Sequence, residues 1–224
     1  MANTLFLRLE GPLQAWGERA KWSIRDTAAE PTKSGVIGLI GCAMGFTADE
    51  DLAALSRKIK IGVRCDRPGT LLRDFHTIIG GVLSAEGKIK DETVVSVRSY
   101  ISDGSFLVAV RSDLITIGEI SIALQSTKWP FFLGRKSCVP ARPVFAGNGD
   151  FLDLISALKS APYEKQPGDL QEKPELRSVI ETTSAHGVQR RDELLSHSSR
   201  TFLPRYVEDV FIAPENIVEE LCQS

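Results

Sequence analysis

The sequence predicts an α+β fold, in which a ferredoxin-like domain carries a protruding β-hairpin thumb and is followed by a small β-rich C-terminal extension. Short segments in which apolar and polar residues alternate predict strands. Two longer segments, one rich in glycine and one amphipathic, predict helices. In chain order the first 145 residues give strand, helix, strand, strand, helix, strand, which is the ferredoxin-like order. The predicted domains are 1–148, with the thumb inserted at about 67–104, and 149–224, packed on the first.

Composition limits the classes of function. The 224-residue chain is 42% apolar, which is enough for a substantial core. No apolar run reaches about 18 residues, and the apolar segment 4–9 is too short and is interrupted by Arg8. Neither a membrane span nor a signal peptide is therefore predicted, and we expect a cytoplasmic protein with no membrane partner.

Charge and cysteine content narrow the classes further. With 27 basic and 29 acidic residues the chain has a net charge of −2, whereas a non-specific nucleic-acid binder is normally strongly basic. Any nucleic-acid role must then rest on local basic clusters. The four cysteines include no CxxC pair, which argues against a zinc site and favours reduced thiols. No cofactor is expected.

The segment Pro31 to Gly45, PTKSGVIGLIGCAMG, predicts the first helix, after a strand at Thr4 to Leu9. Each interior glycine would cost roughly 1 kcal/mol in an exposed helix, which indicates close packing against another backbone. Ahead of the helix, Thr32, Lys33 and Ser34 supply an N-cap hydroxyl and a cation, where an anion can bind. Two interpretations remain open from this segment: a buried, capped helix without a ligand, and an anion site.

A second short helix is predicted at Asp49 to Arg57 and a strand at 59–65. The thumb follows, because two extended arms, Leu71 to Ile79 and Thr93 to Ile101, flank a polar middle that is broken by glycines. The middle contains Lys88, Lys90, Asp91 and Glu92.

The remaining elements complete the predicted order. Ser105 to Arg111 predicts a strand, and Leu114 to Gln125 an amphipathic helix whose β-branched residues also suit a strand. A basic, glycine-bearing loop over 131–145 ends in a short strand, and a helix capped by Asp150 follows. Two later segments are predicted to pair as strands around a basic loop, Gln189-Arg190-Arg191; these segments are 176–183 and 201–212.

Motifs for catalysis are sparse. Lys33-Ser34 lacks the preceding loop of a Walker A motif, which argues against a nucleoside triphosphatase. His76, His186 and His197 share no metal-binding spacing. His76, with Tyr100 across the predicted hairpin and Lys88 near its tip, supplies residue types for a metal-free ribonuclease. The spacing itself is not specific, and a structural histidine is the alternative.

Basic residues cluster in loops beside glycine, serine and aromatic residues. Singly, such residues are more often solvated surface charges. Arg135 is the strongest candidate, because Gly134 permits close backbone approach to a phosphate while Arg135, Lys136 and Ser137 donate to it. The other clusters contain Arg19, Lys21 and Arg25; Lys33; and Arg190, Arg191, Arg200 and Arg205, and Arg142 lies near Arg135.

Six segments together closely resemble the CasD family, the 5′-handle-binding subunits of type I-E CRISPR Cascade complexes. They occur in the family's order and at matching intervals, and they cover nearly the whole chain. Similarity is weakest over 145–190. The segments are LFLRLEGPLQAWG (5–17), PTKSGVIGLIG (31–41), RDFHTIIGG (73–81), ETVVSVRSYISDGSF (92–106), FFLGRKSC (131–138) and RDELL…R (191–200).

The resemblance implies a non-catalytic RNA-binding subunit that acts in antiviral defence. Members have an RNA-recognition-like domain with a thumb, grip the 5′ handle of the crRNA, and cap the backbone filament. They contact the backbone subunit (CasC type) and the large subunit (CasA type), and contact with target DNA through the complex stays open. Related type I-C subunits cut RNA themselves, so an endoribonuclease that uses His76, Tyr100 and Lys88 is the alternative. A generic ferredoxin-like interaction domain is the third hypothesis.

For the RNA-binding hypothesis, the resemblance and the basic clusters together predict a set of residues that line the handle, with no metal site. Lys33 and Ser34 would hold a handle phosphate at the helix start. The predicted set is Gln14, Trp16, Arg25, Thr32, Lys33, Ser34, Arg98, Gly134, Arg135, Lys136, Ser137, Arg191 and Arg200.

Overall fold

The computed structural model describes residues 2–18, 24–83, 86–165, 174–183 and 187–219. The strands are β1 (Thr4–Glu10), β2 (Leu13–Gln14), β3 (Ile24–Arg25), β4 (Lys60–Arg67), β5 (Thr70–Ile78), β6 (Val82–Leu83), β7 (Ile89–Lys90), β8 (Val94–Ser102), β9 (Ser105–Arg111), β10 (Phe145–Gly149), β11 (Tyr163–Lys165), β12 (Leu176–Thr182), β13 (Val188–Ser196), β14 (Thr201–Ile212) and β15 (Ile217–Glu219). The helices are α1 (Lys33–Met44), α2 (Asp49–Lys58), α3 (Leu114–Gln125) and α4 (Leu154–Ser160). Predictions for Arg19, Lys21 and His186 lie outside the described residues.

One antiparallel sheet of seven strands, in the order β10-β1-β9-β4-β12-β14-β13, forms the centre of the fold. The alternation predicted for the first strand is confirmed: Leu5, Leu7 and Leu9 lie on one face, in a core shared with α1, α2 and α3. Phe6 faces the other side, where it packs with α4. The sheet is therefore covered by helices on both faces, with the larger core under α1 and α3.

Helix α1 begins where its sequence predicts. The Thr32 hydroxyl accepts a hydrogen bond from the Gly35 N–H at 3.3 Å, and Gly45 ends the helix in the left-handed conformation, with φ of 77°. The expected contact of its glycines with another backbone is wrong, because their close neighbours are side chains. A Cβ on Gly35 would meet Trp16, one on Gly41 would meet Leu52, and one on Gly38 would meet nothing within 4 Å.

Helix α3 matches its predicted bounds, although its β-branched residues also suit a strand. Asp113 caps it by accepting from the Thr116 N–H at 2.9 Å, and Ile117 and Ile120 are fully buried in the larger core. Burial of one face and a charged cap outweigh intrinsic propensity here. For α4 the predicted cap is wrong: Asp153, in a reciprocal pair with Ser156, caps the helix instead of Asp150.

A second sheet is built on the two arms that the sequence predicts. Strands β5 and β8 pair antiparallel over nine residues, from Thr70 opposite Ser102 to Ile78 opposite Val94. We call this pair the β5–β8 ladder. Along its other edge, β8 pairs with the two-residue strands β2 and β3. Large apolar side chains on the ladder are exposed, among them Phe75 (69%) and Ile79 (85%).

The C-terminal third continues the central sheet, because β12 pairs with β4 through Val179 opposite Val63. Strands β12 and β14 pair as predicted. The basic loop predicted at Gln189-Arg190-Arg191 is wrong, since these residues belong to β13, the last strand of the sheet. In the described ranges, no helix has both the length and the apolar character that a membrane crossing requires.

Candidate nucleic-acid interface

Gln14 and Trp16, which were predicted to line an RNA, are buried in the core instead, at 0% and 1% exposure. The Gln14 Nε2 donates to the carbonyls of Leu9 (3.1 Å) and Gly104 (2.7 Å), and the Trp16 Nε1 donates to the Gln14 Oε1 at 3.0 Å. The side-chain amide thus holds the end of β1 against the turn that precedes β9. In this arrangement the polar atoms of both side chains are used in hydrogen bonds within the fold.

The start of α1 holds an anion, but the anion comes from the same chain. The Lys33 N–H donates to the Asp192 carboxylate at 2.8 Å. The Lys33 Nζ lies 3.0 Å from Glu181 and 3.7 Å from Glu193. Thr32 and Lys33 are both 1% exposed. The prediction that Lys33 holds an RNA phosphate finds no support in this geometry, because its ammonium is enclosed by carboxylates.

Asp192 is the centre of this buried ion network. It accepts from the Arg205 Nε at 2.6 Å and from the Arg205 Nη2 at 2.8 Å, in addition to the Lys33 N–H. Burial raises the pKa of Asp192, but the hydrogen bonds and charge of Arg205 together with the Lys33 N–H outweigh it, so the pKa lies below its ordinary value. The carboxylate is therefore ionised wherever the protein is folded near neutral pH.

A second carboxylate, Glu30, pairs with one more cation of the predicted basic clusters, Arg190, and with Arg177, which lies outside those clusters. Glu30 is 1% exposed and contacts the guanidinium groups of Arg190 and Arg177. Two of the four arginines in the predicted cluster 190–205, Arg190 and Arg205, therefore form internal ion pairs. Arg191 and Arg200 stay exposed, on β13 and in the turn after it.

The loop 131–138, which we call the LGRKSC loop, is folded against the segment after β2. The Ala15 N–H donates to the Leu133 carbonyl at 3.0 Å, and the Leu133 N–H donates to the Cys138 carbonyl at 2.7 Å. Gly134 has φ of 92°, and a Cβ there would lie 1.8 Å from the Ala15 carbonyl oxygen. The close backbone approach that the glycine was predicted to allow is an approach to Ala15.

Arg135 binds the protein's own backbone. Its Nη1 donates to the Ser99 carbonyl at 3.0 Å, and its Nη2 donates to the carbonyls of Arg25 (3.0 Å) and Asp26 (3.3 Å). The guanidinium carbon lies 4.6 Å from the centre of the Tyr100 ring, a cation–π geometry. This geometry does not support the prediction of a phosphate contact by Arg135 itself.

Other predicted residues gather around Arg135. Arg25 and Arg98 are opposite one another in the pairing of β3 with β8. Lys136 and Ser137 follow Arg135 and are exposed. The Nε of Arg98 is buried without a hydrogen-bond partner in the described parts of the chain. The structure therefore brings four predicted residues to one region beside the half of the β5–β8 ladder from the middle pair Arg98–Asp74 toward the core, which we call the base of the ladder, whereas Ser34 lies in α1 near the ion network.

The residues of the ribonuclease alternative are not brought together. His76 lies opposite Ser96 in the ladder, and Tyr100 is four positions further along β8, a separation of about 13 Å. Tyr100 is 7% exposed and lies under Arg135, whereas the His76 Nδ1 is 4.0 Å from Asp74 in a half-buried pair. Lys88 lies beyond the ladder, just before β7. Among the described residues, no group of three or more His, Cys, Asp or Glu side chains is arranged to hold a metal ion.

Sequence reasoning missed the carboxylates that occupy the start of α1. Asp192 and Leu194 are buried at alternate positions of β13, which is the pattern of a half-buried strand. Because the sequence predicted a basic loop, Gln189-Arg190-Arg191, between the two strands, that alternation was not used. Glu181 and Glu30 carry no comparable local signal, since their cationic partners are distant in sequence.

Comparisons with known proteins agree over almost the whole chain. The profile of the family described as "CRISPR-associated protein (Cas_Cas5)" matches residues 4–210. The CRISPR system Cascade subunit CasD of Escherichia coli (strain K12) is 33% identical over 220 residues, covering 92% of this chain and 94% of that protein.

Solved structures are similar to the same extent. A chain of a CRISPR RNA-guided surveillance complex superposes with a TM-score of 0.78 at 30% identity, covering 96% of this chain and 93% of that chain. A second structure, described as a Cas protein, has a TM-score of 0.71 at 32% identity, covering 96% and 97%. With the family profile spanning β1 to β14 and the fold shared at these identities, the chain belongs to the Cas5 family of CRISPR-associated proteins.

Proposed function

We propose that this protein is a non-catalytic subunit of a type I-E CRISPR effector (Cascade) that binds the 5′ handle of the crRNA. It would cap the backbone filament and contact the large subunit, in the cytoplasm. The observation that carries this proposal is the 33% identity to a Cascade CasD subunit, which extends over 92% of the chain.

The fold supports the proposal. Strands β10, β1, β9 and β4 are neighbours in the central sheet, and α1 and α3 pack on the same core. The chain order of these six elements supports the ferredoxin-like domain that we propose, an arrangement that RNA-recognition domains use. The β5–β8 ladder, inserted between β4 and β9 with exposed apolar side chains along its length, suits a protruding thumb.

The handle site that we propose is the base of the β5–β8 ladder. Lys136 and Ser137 are exposed beside the Arg135 contacts, and Arg98 has a buried Nε that lacks an acceptor in the described chain. Cationic side chains together with an exposed hydroxyl are suited to bind the phosphates of single-stranded RNA. Arg25 belongs to the same region through its pairing with Arg98. Arg191 and Arg200 would contact RNA or a partner subunit from the exposed edge of the central sheet.

Protein partners are proposed for the apolar surface of the ladder. Leu71 and Phe75 of β5 and Ile79 directly after it are 58%, 69% and 85% exposed, and exposed apolar surface of this kind marks interaction sites. In an assembly of the kind that the relatives form, such a surface would contact the backbone subunit (CasC type). The large subunit (CasA type) would then meet another face of the protein.

The test is binding of a fluorescent handle RNA to the full chain, measured across a range of salt concentrations. Lys136→Ala and Arg98→Ala should weaken binding, and each should lower the slope of log K against log salt by about 0.7, the value for one phosphate on a single strand. Lys159→Ala is the matched control, because Lys159 is an exposed lysine on α4, on the opposite face of the central sheet. Equal effects of Lys136→Ala and Lys159→Ala would contradict the proposed site.

A further inference from the structure

We propose that Arg135 is a positioning residue, which fixes the base of the β5–β8 ladder against the LGRKSC loop and does not itself bind phosphate. The inference rests on the proposed function for its consequence, since the ladder base is where we place the RNA handle. The claim that Arg135 fixes the ladder against this loop does not depend on RNA binding. It replaces the role that the sequence predicted for Arg135.

The first argument is how the guanidinium uses its donors. A guanidinium has five N–H donors in a rigid fork and no acceptor. Both Nη atoms of Arg135 donate to backbone carbonyls, one of β8 (Ser99) and two at the end of β3 (Arg25 and Asp26). One face of the fork lies over the Tyr100 ring. An RNA phosphate would have to compete with three existing acceptors for this side chain.

The second argument is that the residues flanking Arg135 are held in place. Leu133 and Cys138 are fully buried. The Cys138 N–H donates to the Arg135 carbonyl at 2.8 Å, and Gly134 lies against Ala15. The backbone that carries Arg135 is therefore fixed on both sides to the core, so its contacts set the position of β8 relative to the core.

The third argument is that the pairing of β3 with β8, which Arg135 reinforces, is weak by itself. Within the described residues, which resume at Ile24, β3 pairs with β8 through Ile24 and Arg25, and this pairing is parallel. A two-residue parallel pair offers few hydrogen bonds of its own. Arg135 connects the two strands a second time, because its Nη1 reaches β8 and its Nη2 reaches the carbonyls at the end of β3.

Lysine cannot replace arginine in this role. An ammonium keeps the positive charge but lacks the planar fork that reaches two strands and stacks on a ring. Arg135→Lys therefore separates positioning from charge: it should retain a phosphate contact, if one exists, and should lose the connection between β3 and β8.

The experiment is hydrogen–deuterium exchange on the RNA-free full chain. Arg135→Ala and Arg135→Lys should each speed exchange of the β3 amides and of the β8 amides from Val97 to Ile101 at least tenfold. Lys136→Ala, which removes the same charge from the neighbouring exposed residue, should leave them at wild-type rates. Wild-type rates in Arg135→Lys would overturn the inference, and this variant decides the question if Arg135→Ala fails to fold.

RNA binding supplies an independent readout. Arg135→Ala should weaken handle binding without changing its salt slope, whereas Lys136→Ala should lower the slope by about 0.7. A lower slope in Arg135→Ala, restored by Arg135→Lys, would show a phosphate contact and overturn the inference. If the wild-type chain bound no handle RNA, the proposed function would fail, and the exchange experiment would still decide the positioning role.

Discussion

The backbone N–H of Lys33 donates a 2.8 Å hydrogen bond to the Asp192 carboxylate, 159 positions away in the sequence. The contact joins the start of α1 to β13, and Arg205 of β14 completes it from the neighbouring strand. A helix start, where unpaired N–H groups favour negative charge, thus receives its anion from the C-terminal third of the same chain.

Asp192→Asn should lower the free energy of unfolding by about 3 kcal/mol. The substitution keeps the shape but removes the charge that compensates Arg205 and the helix start, and breaking a buried pair is strongly destabilising. Asp209→Asn is the control, because Asp209 is 51% exposed and its 2.7 Å pair with Arg177 is solvated, so less than about 1 kcal/mol is expected. Urea unfolding of both variants measures the difference, and equal losses would contradict a special role for Asp192.

The stabilisation from Asp192 should disappear in acid. Its folded-state pKa lies below its ordinary value, so the folded protein binds the proton less well than the unfolded chain. The contribution is then fully present above the unfolded-state pKa and is lost as the pH falls through the folded-state pKa. Unfolding curves of wild type and Asp192→Asn should differ by a constant amount near neutral pH and converge below the ordinary carboxyl range. A difference that does not change with pH would contradict this assignment.

Two glycines should respond to alanine in opposite directions. Gly134→Ala should destabilise the protein by more than about 2 kcal/mol, because a left-handed φ of 92° is strained for alanine and its Cβ would overlap Ala15. Gly118→Ala, in α3, meets nothing within 4 Å and should stabilise the protein by up to about 1 kcal/mol. Thermal unfolding distinguishes the two, and a loss at Gly118 similar to that at Gly134 would contradict the argument.

No metal-independent ribonuclease activity is expected. Repeat RNA incubated with the purified chain in EDTA should stay intact, because His76 and Tyr100 are about 13 Å apart along the ladder. Clean cleavage at the handle boundary, abolished by His76→Ala or Tyr100→Phe, would overturn the non-catalytic assignment. Cleavage that survives both substitutions would indicate a contaminating nuclease.

Phe75→Ser should impair assembly more than folding. Phe75 is 69% exposed on the ladder, so the isolated chain should change in stability by less than about 0.5 kcal/mol. Recovery of the backbone subunit with the tagged protein should fall several-fold. Ile122→Ser is the control, since Ile122 is 71% exposed on α3. Equal recovery in the two variants would argue against the ladder as the subunit contact.

Periodicity and cap residues were enough to predict most elements of the fold. Helix α3 was predicted to the residue from the amphipathic pattern of 114–125, and the Asp113 cap that the structure shows was not part of that prediction. The arms of the β5–β8 ladder were found by extended patterns that flank glycines. Periodicity is a local signal, because the helix or strand that it predicts is formed by the same residues that carry the pattern.

The candidate site could not be predicted in the same way. Gln14 lies in a segment that was predicted to line the RNA. Its side-chain amide instead donates to the Gly104 carbonyl, 90 positions away. Arg135 and Lys136 are adjacent and both cationic, and within the described parts of the chain Arg135 alone of the two donates to backbone carbonyls. A polar side chain is exposed or buried according to which distant segment of the chain packs over it. The spacing of residues in a single sequence does not show which segment that is.

The pairing of β4 with β12 has a consequence for synthesis of the protein. Strand β4 is complete at Arg67 and pairs with β9 on one edge, but β12, its partner on the other edge, begins at Leu176. In a nascent chain that ends before Leu176, one edge of β4 is unpaired. The Lys33 ammonium also lacks its ion-pair partner Glu181. Exposed strand edges of partly made chains pair with wrong partners. Chaperone contact should therefore peak before β12 leaves the ribosome, and truncation ahead of Leu176 should yield an aggregating chain.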